Sequence, residues 1–326
     1  MAILVTGAAG FIGAHVVQAL LAQGRSVIGF DNLNDYYSAR LKHDRLSTLC
    51  ADENFSFHAV DVSNSDAMKL ALSGRRPTQI LHLAAQAGVR YSLQNPAAYT
   101  KANLEGHFAM LELARQLEVE NMVYASSSSV YGGNSKIPFA EEDQTDDPVS
   151  FYGATKKSNE LMSQSYARLY GLSLTGLRFF TVYGPWGRPD MAYWIFAEKI
   201  LKGEPIRVFN HGKMSRDFTY VDDIVRGTLA ALDRPASSLD LPAPHRVYNL
   251  GNDRPEQLGD LIKWTETHIG REAEKTYEPM QQGDLAKTWA NIDRARSELN
   301  YSPIVSLEDG LARFADWFAP RWEKYC

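Results

Sequence analysis

Tyr152 and Lys156 stand four residues apart in Tyr152-Gly-Ala-Thr-Lys156, so a helix through them carries a phenol and an ammonium on one face. A phenol beside a fixed positive charge gives up its proton below its ordinary pKa of about 10 and becomes a usable general base. The spacing alone is weak, because a solvated helix face shows it equally well. Its surroundings strengthen it. Upstream lies Ala125-Ser126-Ser127-Ser128-Ser129-Val-Tyr131-Gly132, an apolar run ending in hydroxyls that can hydrogen-bond a reacting oxygen, and then a turn at Pro148.

A second group sits at the start of the chain. Thr6-Gly7-Ala-Ala-Gly10-Phe11-Ile12-Gly13 follows an apolar strand pattern and opens a helical one, the setting of a pyrophosphate-binding loop. Its glycines let the backbone turn tightly, and the helix N-terminus offers unpaired N–H groups and a positive dipole end. The GxxGxxG spacing marks a variant of the dinucleotide fold. Asp31 ends the next strand 18 residues after Gly13, where a carboxylate accepts bonds from ribose hydroxyls and repels a 2′-phosphate. Asn32 follows, with no arginine there, so NAD is expected over NADP. Asp61-Val62 ends a third strand and is expected to face the adenine. A cationic nicotinamide would act with Lys156 to lower the Tyr152 pKa toward neutrality.

These groups need a scaffold that brings strand ends together. Apolar runs at residues 2–5, 26–30, 55–60, 79–84, 121–125 and 172–178 alternate with helical stretches such as 14–23 and 102–116. That order predicts an α/β, Rossmann-like doubly wound parallel sheet. After residue 180 prolines break the chain into shorter pieces, predicting a smaller C-terminal α/β substrate lobe over 181–326. The dinucleotide domain spans 1–180, with part of 217–252 expected to return to it. Segment 237–245 is the expected surface loop.

Composition narrows the classes further. The 326 residues are 44% apolar and 22% charged, which excludes disorder, collagen and a disulfide scaffold. A net charge of −5 gives no pull toward nucleic acid or an anionic membrane. Cys50 and Cys326 are the only cysteines, so a cytoplasmic setting without a metal cluster is expected. No run reaches the roughly 18 apolar residues of a membrane span.

Taken together, these motifs resemble the extended short-chain dehydrogenase/reductase superfamily, specifically its nucleotide-sugar epimerase branch, over essentially the whole chain. Gly7, Gly10 and Gly13 match its cofactor loop, His82-Leu83-Ala84-Ala85 the segment that passes the cofactor, and Tyr152 with Lys156 its catalytic pair. Ser127 matches the catalytic hydroxyl when Val130-Tyr131-Gly132 is the anchor, with Ser128 and Ser129 beside it as substrate contacts and the register open by one residue. Arg216-Asp217-Phe218 with Val221-Asp222-Asp223 resembles a segment whose arginine grips the substrate diphosphate, a role suited to a guanidinium fork. Gln282-Gly283-Asp284 resembles a turn whose acid contacts the nucleotide, with Gln282 in place of the usual proline. The resemblance also implies a homodimer through a helical bundle.

Two stretches, residues 31–42 and 178–192, look like the UDP-glucuronate 4-epimerase subgroup. There the Arg188 and Thr181 positions lie near the sugar carboxylate, and a charge-assisted contact from Arg188 would favour a uronate. Arg90 is a competing cation. The implied chemistry is oxidation at C4 with NAD, turnover of the 4-keto sugar and return of the hydride. The serines after the catalytic strand argue against a 4,6-dehydratase, which needs an acid pair there. A UDP-glucuronate decarboxylase and a UDP-hexose 4-epimerase share the fold. A non-catalytic NAD sensor would keep the glycine loop but has no need of Tyr152 and Lys156.

Overall fold

The computed structural model describes residues 2–281 and 284–326. The chain begins with strand β1 (Ala2–Thr6), helix α1 (Phe11–Ala22), β2 (Ser26–Asp31), α2 (Ala39–Leu49), β3 (Phe55–Ala59), α3 (Ser65–Leu72) and β4 (Gln79–His82). Two single-turn helices, α4 (Tyr91–Gln94) and α5 (Pro96–Tyr99), lead through a π-helix at Thr100–Glu105 into α6 (Gly106–Leu117). β5 (Asn121–Ser127), α7 (Phe151–Tyr170) and β6 (Leu174–Phe179) complete the first half.

The sheet explains why the glycine loop lies where it does. Seven strands run in the order β10-β6-β5-β4-β1-β2-β3, where β10 is His245–Leu250, and every neighbouring pair is parallel. β1 pairs with β2 on one side and β4 on the other, so the chain reverses direction across the sheet there, and a crevice opens beyond the strand ends. Both faces are covered: Ile3 and Val5 enter one apolar core, and Leu4 between them enters the other.

The rest of the chain builds smaller sheets beside this one. β7 (Thr181–Tyr183), α8 (Ala192–Lys202), β8 (Ile206–Val208), β9 (Ser215–Tyr220) and α9 (Val221–Asp233) precede β10; β11 (Pro255–Gln257), α10 (Leu258–Ile269), β12 (Lys275–Tyr277), α11 (Asp293–Leu299), α12 (Leu307–Phe318) and α13 (Trp322–Tyr325) follow it. β11, β9 and β7 form one sheet, and β12 pairs with β8. α9 packs on α1, so residues 221–250 lie with the large sheet although they follow β7 to β9 in sequence.

Among the element boundaries that differ from the sequence patterns, those of β4, β5 and α6 lie beside the cavity. β4 stops at His82 instead of residue 84, because the Ala84 N–H donates to Thr6 Oγ1 (3.1 Å) instead of continuing the ladder. β5 runs on to Ser127, in register with Phe179 of β6. The helix expected at 102–116 starts as the π-helix. There Asn103 donates to and accepts from the Gln86 main chain (3.0 and 2.8 Å) and donates to Thr155 Oγ1 (3.0 Å), and such widened turns often occur at functional sites.

Candidate functional site

At the C-terminal end of β1 the chain turns at Gly7, whose φ is +70°. A β-carbon on Gly7 would lie 2.8 Å from the Ala84 nitrogen, and one on Gly13 would overlap the Gly7 carbonyl oxygen. Only glycine fits at these two positions, and both line a cavity. The α1 N-terminus has no acid in its first turn and no side-chain cap, which leaves its N–H groups for an anion. The Asp31 carboxylate ends β2, accepting from Ala9 N (3.2 Å) and Leu33 N (2.8 Å).

One cavity brings together Gly7, Gly10, Phe11, Ile12, Gly13, Asp31, Asn32, Asp61, Val62, Leu83, Ala84, Ala85, Ser127, Tyr152 and Lys156. Its glycine floor, capless helix end and strand-end carboxylate fit the pyrophosphate and ribose of a dinucleotide. Asp61 pairs with Lys101 (3.2 Å) and accepts from Ser63.

The catalytic candidates come from β5 and α7. The Ser150 hydroxyl caps α7 by accepting from Gly153 N (3.0 Å). A β-carbon on Gly153 would stand 2.6 Å from Ser129 O, so the helix start fits tightly on the turn after β5. Tyr152 and Lys156 then lie one helical turn apart, and Lys156 Nζ donates to Ala125 O at 2.8 Å. Burial lowers the Lys156 pKa to about 8.

The expected lowering of the Tyr152 pKa does not arise from the protein's own groups. Burial pushes it up, and the Ser127 hydroxyl and the Arg188 charge offset this only partly. Lys156 keeps its charge while donating to the Ala125 carbonyl, but that charge does not offset the burial of the phenol, and a further positive charge near Tyr152 would be needed to bring its pKa down.

Of the three serines, the structure brings Ser127 to the cavity wall. Its Oγ accepts from Ser129 N at 3.1 Å. Ser128 and Ser129, expected as substrate contacts, do not line this cavity or the adjoining one. The chain leaves β5 in a tight 3-10 turn over 128–131, which carries both half-buried side chains off the wall.

The adjoining cavity, of about 680 Å³, is lined by Arg90, Thr181, Arg188, Arg216 and Asp284 among others, and shares Tyr36, Arg188 and Met191 with the first. Arg90 and Arg188 occupy different surroundings. Arg90 pairs with Asp284 (3.0 Å) and lies over the Phe209 ring; Arg207, which also lies over Phe209, pairs with Glu278. Arg216 donates to the Ser215 and Ala286 carbonyls (3.0 and 3.2 Å) and has no ion pair among the described residues. Gln282 and Gly283 lie outside the described residues.

Arg188 meets Asp190 through two bonds, Nε to Oδ1 (3.0 Å) and Nη2 to Oδ2 (2.6 Å), and the Tyr36 hydroxyl donates to the same Oδ2 (3.0 Å). Burial works against both charges, but their mutual attraction raises the Arg188 pKa and holds Asp190 below the usual carboxylate range. Asp190 occupies one edge of the guanidinium, so the edge bearing Nη1 remains for a ligand carboxylate.

The sequence reading missed Tyr36, Asp190, Arg207 and Phe209. It also missed the roles of Asp217 and Asp223, both fully buried. Asp217 accepts from Ala290 N and Thr219 Oγ1 (both 3.1 Å), and Asp223 from Ile304 N and Val305 N (3.2 and 3.1 Å). They fasten loops of the smaller sheets to β9 and α9. Apart from the bond from Thr219, these pairings join residues more than 70 apart in sequence, and no local spacing announces them.

The chain as a whole has known relatives. Residues 3–251 match the family model described as "NAD dependent epimerase/dehydratase family". The chain belongs to that family. It is 46% identical to Protein CapI of Staphylococcus aureus, over 99% of this chain and 100% of that protein. It is 47% identical to UDP-glucuronate 4-epimerase 4 of Arabidopsis thaliana, over 97% of this chain and 75% of that one. Among solved structures, UDP-glucuronic acid 4-epimerase from Bacillus cereus in complex with UDP-glucuronic acid and NAD matches with a TM-score of 0.90 and 36% identity, covering 98% of this chain and 99% of that one.

Proposed function

We propose that this protein is a UDP-glucuronate 4-epimerase, an isomerase that interconverts UDP-glucuronate and UDP-galacturonate. The observation that carries the proposal is Arg188, in the wall shared by the two cavities, with one guanidinium edge held by Asp190 and the other open. A uronate carboxylate can take that edge with Thr181 beside it, whereas a neutral hexose offers that edge no charged acceptor. The relatives named as UDP-glucuronate 4-epimerases support the same substrate.

NAD bound in the first cavity supplies the acceptor and donor of the C4 hydride. The glycines and the α1 N-terminus hold its diphosphate, and Asp31 and Asn32 its ribose. Tyr152 Oη takes the proton from the sugar O4 and later returns it, while the Ser127 hydroxyl holds that oxygen in line. Lys156 carries its charge beneath the phenol. Arg216, with Arg90 and Asp284, anchors the uridine diphosphate, and the 4-keto sugar turns over about that anchor to present its other face.

The intermediate is a β-keto acid, which loses CO₂ when its C5–C6 bond aligns with the ketone π system. Arg188 and Thr181 hold the carboxylate out of that alignment. Purified protein incubated with UDP-glucuronate and no added cofactor is expected to yield UDP-galacturonate, followed by proton NMR at the anomeric signals. UDP-pentose as the main product would make the protein a decarboxylase instead.

We place the dinucleotide domain at 1–180 with 221–250 returning to it, and the sugar-binding lobe in the remainder. Exposed Phe108 on α6 with Leu161 and Leu169 on α7 supports a homodimer through these helices. Two exposed free cysteines fit a reducing cytoplasm, and the product fits a precursor of acidic polysaccharide. Among the described residues no helix is long and apolar enough to cross a membrane.

A further inference from the structure

A buried arginine is ordinarily matched by a carboxylate, yet Arg45 of α2 is 1% exposed and has no ion pair among the described residues. Its five N–H groups end on neutral oxygens. Nε and Nη2 donate to the Trp186 carbonyl (3.1 and 2.6 Å), and Nη2 also to the Gly187 carbonyl (2.8 Å). Nη1 donates to the Ala9 carbonyl (3.0 Å) and to the Tyr37 hydroxyl (2.7 Å).

The placement of those acceptors gives the arrangement its meaning. Ala9 lies inside the glycine loop between Gly7 and Gly10. Trp186 and Gly187 form the turn that ends at Arg188. Trp186 is held in the left-handed region, with φ at 59°, a conformation that a bulky residue keeps only when its surroundings impose it. A β-carbon on Gly187 would overlap the Tyr193 hydroxyl. The turn is therefore tightly packed and held in an unfavoured backbone conformation, and Arg45 ties its two carbonyls to the Ala9 carbonyl in the glycine loop.

We propose that Arg45 is a positioning residue for Arg188, fixing the uronate-binding turn to the glycine loop and so setting product and substrate selectivity. The proposal rests on the reading of Arg188 as the uronate clamp. A planar fork spans three carbonyls at once; a lysine ammonium, one point charge on a flexible stem, cannot reproduce that span.

The test compares Arg45→Lys, Arg45→Gln and the milder Tyr37→Phe with wild type. Two ratios are read: UDP-pentose to UDP-galacturonate formed from UDP-glucuronate, and kcat/KM for UDP-glucuronate over UDP-glucose. Both are ratios within the active molecules, so a smaller folded fraction does not move them. NAD content per chain, measured by chromatography of the heat-released nucleotide, reports the other end of the link.

In Arg45→Lys the pentose share rises and the glucuronate preference falls by about tenfold, the scale of one lost charge-assisted hydrogen bond. NAD content falls as well, and Tyr37→Phe moves the same quantities less. Unchanged ratios in Arg45→Lys and Tyr37→Phe, whatever happens to yield or total rate, overturn the proposal. If neither Arg45 variant folds, the Tyr37→Phe ratios decide. Wild-type protein that leaves UDP-glucuronate untouched sinks the reading of Arg188, and this proposal with it.

Discussion

The two cavities share three residues but are built in opposite ways. The dinucleotide cavity is made largely of main chain and strand ends: glycines that exclude a side chain, a helix N-terminus, and carboxylates where β2 and β3 stop. The sugar cavity is made of long side chains from distant segments, among them Tyr36, Arg90, Arg188, Arg216 and Asp284; Tyr36 and Arg90 are oriented by acids more than 150 residues away. The first binds through shape that the backbone dictates. The second presents charged side chains that can be exchanged one residue at a time without disturbing the backbone, a construction by which one fold can serve several ligands.

The contrast can be broken most sharply at the point where the cavities serve one reaction. Tyr152→Phe removes the group that handles the O4 proton, and turnover is expected to drop by about 10³-fold, within the range of positioned acid–base groups. The variant should retain wild-type NAD content by chromatography of released nucleotide, because the glycine loop is untouched. On the backbone side, Gly13→Ala places a methyl group over the Gly7 carbonyl. NAD content should fall to a small fraction of wild type even with excess NAD, and circular dichroism would tell local loss from global unfolding.

On the side-chain side the effect is smaller and selective. Arg188→Met is expected to lower kcat/KM for UDP-glucuronate by about 10- to 100-fold, the cost of a lost charge-assisted contact, while UDP-glucose changes little. Equal losses on both sugars would mean that Arg188 does not read the carboxylate.

The smallest effect is one of pH. Burial raises the Asp217 carboxyl to about 7, above the ordinary value of about 3.9. The folded protein therefore holds that proton more tightly than the unfolded chain, so this contribution to stability is full below about pH 4 and is lost as pH rises through 7. Thermal melts should show the midpoint falling by a few degrees from pH 5 to pH 8, with the slope flattened in Asp217→Asn. Hydrogen exchange should locate the loosening at residues 251–252 and 290, in the lobe whose loops Asp217 fastens.

The same contrast explains what the sequence disclosed. The gathering of Gly7, Gly10, Gly13, Asp31 and Asp61 along one cavity was readable because it depends on position relative to a strand or helix end, and that is a local pattern. Tyr152 and Lys156 were readable for the same reason, as two residues on one helix face. Asp190, Tyr36 and Arg45 were not. Tyr36 meets Asp190 across 154 residues and Arg45 meets Trp186 across 141, and only the closed fold creates those contacts. Which of the three serines lines the cavity likewise depends on where β5 ends, and the direction of the Tyr152 pKa on its burial. Both are tertiary properties.

On the proposed mechanism C4 is oxidised and reduced within one site, the sugar turning over between the two transfers. UDP-glucuronate carrying deuterium at C4, incubated with the wild-type protein in ordinary water, tests this directly. NMR and mass spectrometry of the product should show UDP-galacturonate with the deuterium still at C4. UDP-galacturonate that has exchanged its deuterium for solvent hydrogen would contradict a returned hydride, and a labelled UDP-pentose would contradict the clamp that Arg188 is assigned.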